Sequence, residues 1–338
     1  MRDQPMRRSN ATPTTPPSSP AQAEPAPQRD GRTTSTPRRG ARLGDVLAAT
    51  DFSPGALAAI ERAARLPLSA GSTLHLVHVL PAPASAAEGE SAEQAARRSL
   101  DEIAARALDV ARGAGNAGLQ VAPSVLVGRE FVEIIRHARS RGAELIVLGR
   151  HGERSILDLL LGSTAELTVR HADTPVLVVQ RPSVGAYRRP LLAVELSDVA
   201  LRSAALATKV IDPEVSRIRA IHAYHVPFED RMALALPSIE FAAYKARYHD
   251  DARAGLRRLL DSFDGLGVTW ESSVRRGDAR RAIVREAGRW KADLIIMGTH
   301  GRSGISRALL GSVAESVMRS APCDVLVARP STFVLELP

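Results

Sequence analysis

The chain has a single cysteine, Cys323, among 338 residues. No intramolecular disulfide can form, which fits a reducing, cytoplasmic compartment. Cys323 precedes the apolar run 325–328 and reads first as a small buried hydrophobe. Aromatic residues make up only 4% of the chain, so the core must rest on Ala, Val, Leu and Ile. Lysine occurs three times, at Lys209, Lys245 and Lys291, which leaves arginine to carry nearly all the positive charge. That bias reads as codon usage in GC-rich DNA. No apolar run approaches the roughly 20 residues of a membrane-spanning helix, and the basic N-terminus lacks the apolar stretch of a secretory signal. A membrane partner is therefore not expected. No G-x4-G-K-[ST] motif is present, which excludes a P-loop enzyme. Neither half pairs a nucleophile with a base, so no catalytic residue is assigned.

Acidic charge is scarce at the N-terminus. Residues 1–42 hold eight arginines against Asp3, Glu24 and Asp30, a net of +5 out of a formal total of +8. The remaining 296 residues carry only +3, too little to favour nucleic acid as a partner of the folded part. The tail is rich in Pro, Ser, Thr and Ala and poor in large apolar residues. Such a segment buries too little surface to offset its chain entropy and is expected to be disordered. If the chain does bind DNA, the tail is the place, and binding would weaken steeply with salt.

A pattern occurs twice. Gly149-x2-Gly152-x9-Gly162-Ser163 recurs as Gly298-x2-Gly301-x9-Gly311-Ser312, both with identical internal spacing and 149 positions apart. Gly128 and Gly277 stand at the same separation. Each signature follows an apolar run and leads into a helix start. Glycines let backbone approach a ligand, and the N–H groups of a helix start hold a phosphate. Capping offers the plain alternative, since Ser163-x-x-Glu166 and Ser312-x-x-Glu315 both match the capping box. It accounts for the Ser and the Glu but not for the upstream glycines.

Periodicity gives the organisation. Strands are expected at 46–50, 74–80, 121–127, 145–148 and 175–180, with helices at 54–66, 93–112, 130–141 and 162–170. The second half repeats the order, with strands at 191–194, 219–226, 267–274, 294–297 and 325–328. Its helices fall near 199–211, 239–263, 278–289 and 312–320. Alternating strands and helices joined by short connections imply an α/β fold of two similar domains, each a parallel sheet covered on both faces. Their bounds are 44–181 and 190–330, with a linker at 182–189 and an extension at 331–338. In such sheets a ligand sits beyond the carboxyl ends of the strands. Gly113, Gly115 and Gly118 spell the dinucleotide fingerprint, but between a helix and a strand, the reverse of the required context.

His75-x-x-His78-Val79 parallels His222-x-x-His225-Val226. Residues i and i+3 of a strand face opposite sides of the sheet, so neither histidine pair can hold one metal ion. Asp51, at the end of the first strand, is matched by Glu195. Asp51 could alternatively serve only to start the following helix with Ser53 and Pro54.

With the first-strand ending Asp51, Phe52 and Ser53, the His78-Val79 ending of the second strand and the glycine signature, the chain resembles the universal stress protein family. The resemblance covers about residues 44–181 and again 190–330. It implies a five-stranded parallel sheet in order 3-2-1-4-5 in each half, and pairing of the halves across their fifth strands in the manner of a homodimer. Further pairing of whole chains stays open. The ATP-binding branch of the family implies ATP, with Mg2+ as the accompanying ion. By the same resemblance Asp51 and Val79 would meet adenine, Gly149 would lie by the ribose, and Gly152, Gly162, Ser163 and Thr164 would hold the phosphates. The counterparts are Glu195, Val226, Gly298, Gly301, Gly311, Ser312 and Val313. Glu195 departs from the family pattern. Its extra methylene pushes the carboxylate into the space meant for adenine, which leaves the second half open. The resemblance implies a regulator or sensor in stress response, with a slow ATPase or an interaction module with vestigial pockets as the alternatives.

Overall fold

Strand β1 (Val46–Ala49) is wholly buried and four residues long. It leads through Ser53 into α1 (Pro54–Arg65), where the Ser53 side chain accepts from the Ala56 amide and Pro54 occupies the first turn. This is a helix start written in the sequence, since proline loses nothing where no intrahelical donor is needed. In the computed structural model, which describes residues 42–83, 85–150, 162–182, 184–196, 199–266, 268–299 and 310–329, the alternation of strand and helix then continues to the end. The first half adds β2 (Thr73–Leu80), α2 (Ala86–Gly113), β3 (Gln120–Val127), α3 (Glu130–Arg141), β4 (Leu145–Gly149), α4 (Ser163–His171) and β5 (Val176–Val179). The second half comprises β6 (Pro190–Ala193), α5 (Val199–Val210), β7 (Ile218–Tyr224), α6 (Glu229–Ala235), α7 (Ser238–Asp261), β8 (Trp270–Arg276), α8 (Ala279–Trp290), β9 (Leu294–Gly298), α9 (Ser312–Ser320) and β10 (Asp324–Ala328).

The ten strands form one sheet in the order β3-β2-β1-β4-β5-β10-β9-β6-β7-β8. Each half has the expected order 3-2-1-4-5 with parallel pairing. The halves meet at β5 and β10, which run antiparallel with Leu177 opposite Leu326. Both strands are buried along their whole length. Fusing the two fifth strands removes two exposed sheet edges that would otherwise invite foreign pairing. The core lies in two layers that each cross the junction. One holds Ile60, Leu100 and Leu256, the other Ile135, Val169 and Val317.

Three elements differ from the sequence expectation. Helix α2 starts at Ala86, earlier than expected, because Ser85 accepts from the Glu88 amide at 3.3 Å. A separate helix, α6, follows β7 and was not expected. Strand β8 begins at Trp270, so its register is later than the apolar pattern suggested. The glycine-rich segment 113–118 closes α2 and leads to β3, as its reversed context implied.

The linker contributes to the core. Tyr187 is buried, its hydroxyl donates to Asp324 Oδ2 at 2.7 Å, and the Arg62 guanidinium lies 4.0 Å from its ring centroid. Asp324 Oδ1 accepts from the Gln180 amide at 2.8 Å, and Arg62 donates to the Gly185 carbonyl at 2.6 Å. Burial pushes the Asp324 carboxyl above the usual range against the pull of these donors. Cys323, next to it, is buried, and burial pushes its thiol far up, as befits an inert packing residue.

Candidate functional site

The carboxyl ends of β1, β2 and β4 lie side by side, which brings Asp51, Val79 and Gly149 to one end of the first sheet half. The β1–α1 turn is held tightly. Thr50 Oγ1 accepts from the Phe52 amide at 2.9 Å, and Asp51 Oδ1 accepts from the Ser53 amide at 3.1 Å. Phe52 takes a left-handed backbone with φ of +67° and stacks on His78 with ring centroids 4.4 Å apart. Ser53, not Asp51, supplies the helix cap. Asp51 orders the turn before it.

Gly149 has a packing reason of its own. A Cβ there would lie 2.7 Å from the backbone carbon and oxygen of Gly55, so only glycine lets the end of β4 meet the start of α1. One residue on, the Arg150 carbonyl accepts from the Gly162 amide at 2.8 Å and pins the start of α4 beside β4. The second half repeats the device, with the Thr299 carbonyl accepting from Gly311 at 2.9 Å beside β9. Gly152 and Gly301 lie outside the described residues, as do His151 and His300.

The capping-box reading of the two serines is overturned. Gly162 and Gly311 are the N-caps, and neither α4 nor α9 is capped by a side chain. Ser163 and Ser312 are instead the first helical residues, both exposed, and Thr164 and Val313 follow them half-buried. Glu166 turns to Arg170 at 3.0 Å and Glu315 to Arg319 at 3.1 Å instead of reaching back to the caps. A glycine cap has no side-chain oxygen to offer, so the first-turn amides of both helices keep their donor capacity for another acceptor.

In the second half these parts line a cleft of about 540 Å³ at the carboxyl ends of β6, β7 and β9. Gly298, Thr299, Gly311, Ser312 and Val313 form one wall, and Glu195, Ala223 and Tyr224 lie on the other side. Glu195 is exposed and borders the cleft without closing it. The volume falls in the ordinary range for small-molecule sites, roughly 300–1,000 Å³.

One equivalence read from the sequence is corrected by the ladder. Thr50 matches Val194, and Val77 matches Ile221, because the Thr50 amide donates to the Val77 carbonyl at 2.8 Å and the Val194 amide to the Ile221 carbonyl at 3.0 Å. His78 Nδ1 meets the Thr50 carbonyl at 2.8 Å, and His222 Nδ1 meets that of Val194 at 3.1 Å. His78 is therefore matched by His222 and Val79 by Ala223, three residues before the expected Val226. Val226 is buried beyond the end of β7 and is not part of the cleft wall. The repeated His-x-x-His spacing misled the alignment. A constant offset of 144 through the first two strands, from Asp51 to Glu195 onward, would have found Ala223. The five residues that raise the later offset to 149 fall between β7 and β8, where α6 is added.

His75 and His78 part company as the strand period requires. His78 faces the β1 carbonyl, while His75 is buried with Nε2 3.6 Å from Asp45 Oδ2 and its ring 5.8 Å from that of His137. Among the described residues, no helix is long and apolar enough to cross a membrane.

The universal stress protein family profile matches residues 43–180 and 186–329. A universal stress protein of Mycobacterium tuberculosis is 29% identical over 307 residues, covering 84% of this chain and 94% of its own length. Universal stress protein E of Escherichia coli is 25% identical over 227 residues, covering 64% of this chain and 71% of its own length. The crystal structure of a universal stress protein from Archaeoglobus fulgidus shares the fold with a TM-score of 0.62 at 21% identity, covering 84% of this chain and 98% of that one. With matching segments on both sides of the β5–β10 junction, the chain belongs to the universal stress protein family and carries two of its domains in tandem.

Proposed function

We propose that this tandem universal stress protein binds adenine nucleotide, ATP in the first instance, and acts as a regulatory or sensing module in stress response. The observation that carries the reading is the pair of glycine-capped helices, α4 and α9, each tied by its cap to the strand end beside it. A helix start without a side-chain cap, at the carboxyl end of a parallel sheet, suits a phosphate chain. Glu195 beside the second cleft supplies a carboxylate that accepts from an exocyclic amino group, and Asp51 holds the same position in the first half. Gly162, Ser163 and Thr164, with Gly311, Ser312 and Val313, would meet the phosphates through their amides. Any Mg2+ would arrive on those phosphates, since among the described residues no cluster of His, Cys, Asp or Glu is fit to hold a metal. Both halves contribute a site in this reading, because the second cleft stays open with Glu195 in place.

The test is calorimetry of the purified, nucleotide-stripped chain with ATP and GTP, together with chromatography of what the native protein releases on denaturation. Saturable ATP binding that weakens on replacing Asp51 or Glu195 with alanine supports the reading. A flat titration with no released adenine nucleotide sinks it and favours an interaction module. Phosphate release above background that vanishes in Asp51→Ala would mark the site as a slow ATPase.

A further inference from the structure

The two ends of the ten-stranded sheet are built differently. Strands β3 and β8 are the terminal strands. Pro123 stands opposite Leu76 on β3, and Ser272 stands opposite Ala220, the equivalent of Leu76, on β8. Proline has no amide hydrogen, so within a sheet it is confined to places where that hydrogen would point away from the neighbouring strand. Pro123 therefore marks a position whose N–H direction is outward, and it blunts that edge. The same ladder position on β8 holds Ser272, an exposed residue whose amide faces outward.

An open groove of about 370 Å³ runs beside this edge, bordered by residues 272–275 of β8 and by His249 and Arg253 of α7. An arginine borders the groove on each face of the sheet. Arg253, exposed, has no hydrogen-bond or ion-pair partner among the described residues. On the opposite face Arg275 is held in place by Glu286, a buried carboxylate of α8 that accepts from its Nε at 2.9 Å and also pairs with Arg219 at 3.1 Å. We propose that the β8 edge is a docking site for an extended acidic segment of a partner protein. The segment adds as a further strand, with carboxylates meeting Arg253 on one face and Arg275 on the other.

Main-chain pairing supplies affinity in this mode and the flanking charges supply selection. Charge argues against the two occupants closest to hand. The chain's own tail brings eight arginines against three acids. A second β8 would bring Arg275 and Arg276 back against Arg253.

The experiment titrates the full chain into a fluorescein-labelled octapeptide of alternating glutamate and valine, read by fluorescence polarisation. Two further probes are its lysine counterpart and a copy methylated on alternate backbone nitrogens. The acidic probe is expected to bind, with both control probes and the variants Arg253→Glu and Ser272→Pro weaker by at least about tenfold. Binding should slow amide exchange at residues 272–275. Circular dichroism checks the fold of each variant, and Arg253→Glu changes an exposed side chain with no hydrogen bond or ion pair to lose among the described residues. Three results overturn the proposal. One is no polarisation change up to about 1 mM protein. Another is equal binding by the wild type and Arg253→Glu. The third is a wild-type dimer in sedimentation that Ser272→Pro dissociates, which would make a second copy the occupant.

Discussion

His222 Nδ1 stands 3.1 Å from the carbonyl oxygen of Val194, the same contact that His78 makes with Thr50. With a carbonyl as acceptor, Nδ1 carries the proton in both rings. The pair fixes Ala223 as the residue next to the cleft, in place of Val226. If the cleft binds nucleotide, Ala223→Phe should weaken binding to the second half by about tenfold or more through direct filling of space. Val226→Ala should leave affinity within about twofold and cost stability alone. Calorimetry with ATP, paired with thermal denaturation, separates the two effects.

Ser53 and Ser163 look alike in the sequence but differ in role. Ser53 accepts from the Ala56 amide at 3.2 Å, whereas α4 has no side-chain cap. Ser53→Ala should cost about 1 kcal/mol, and Ser163→Ala less than about 0.5 kcal/mol in nucleotide-free protein. Chemical denaturation of both variants checks the contrast. An equal loss for Ser163→Ala would restore the capping-box reading.

Gly149→Ala should destabilise the first half whether or not nucleotide is bound, because the new Cβ would sit 2.7 Å from Gly55 backbone. Overpacking of this kind costs about 1–3 kcal/mol. A melting temperature unchanged from wild type would show that β4 and α1 can move apart at no expense.

Tyr187→Phe removes the hydroxyl that donates to Asp324 Oδ2 at 2.7 Å while keeping the ring against Arg62. Asp324 is left with one fewer donor inside the junction, at a cost of about 1–3 kcal/mol. Thermal denaturation should show a lowered midpoint, since the contact ties the linker to β10.

The position of His75 and His137 in the first half is taken in the second by Arg219 and Glu286, an ion pair at 3.1 Å. Burial lowers the pKa of both histidines below 6.5, with Asp45 opposing it for His75 and Arg141 adding to it for both. A depressed histidine binds fewer protons in the folded chain than in the unfolded one. Stability from this pair is thus fully present above pH 6.5 and is lost as pH falls through the folded values. The burial of Glu286 raises its pKa, but Arg275 and Arg219 outweigh that and hold it below the usual value of 4.5. Its contribution persists to lower pH. Denaturation at pH 7 and pH 5.5 should show a loss that shrinks in His75→Gln. An unchanged pH slope in that variant would remove the pair from the account.

Much of the fold was legible because it is written in short-range chemistry. Apolar runs of strand length, Ser53 with Pro54, and the doubled glycine signature each act within a few residues. The alternation they set up leaves a parallel α/β sheet as the packing that buries every apolar face. Boundaries went astray where a local signal competed. Ser85 drew α2 forward, and the added α6 hid the true offset between the halves. The capping box failed because glycine at the cap position left the serine one residue inside the helix.

The tandem α/β architecture and the glycines that shape the two helix starts are legible in the chain, since they depend on periodicity and on backbone freedom at named positions. Long-range packing alone settled why Gly149 must be glycine and that Tyr187 and Asp324 meet inside the junction. Each of those rests on contacts between segments far apart in the chain. Hydrogen-bond register and van der Waals contact set such distances, and neither leaves a mark in the local pattern of residues.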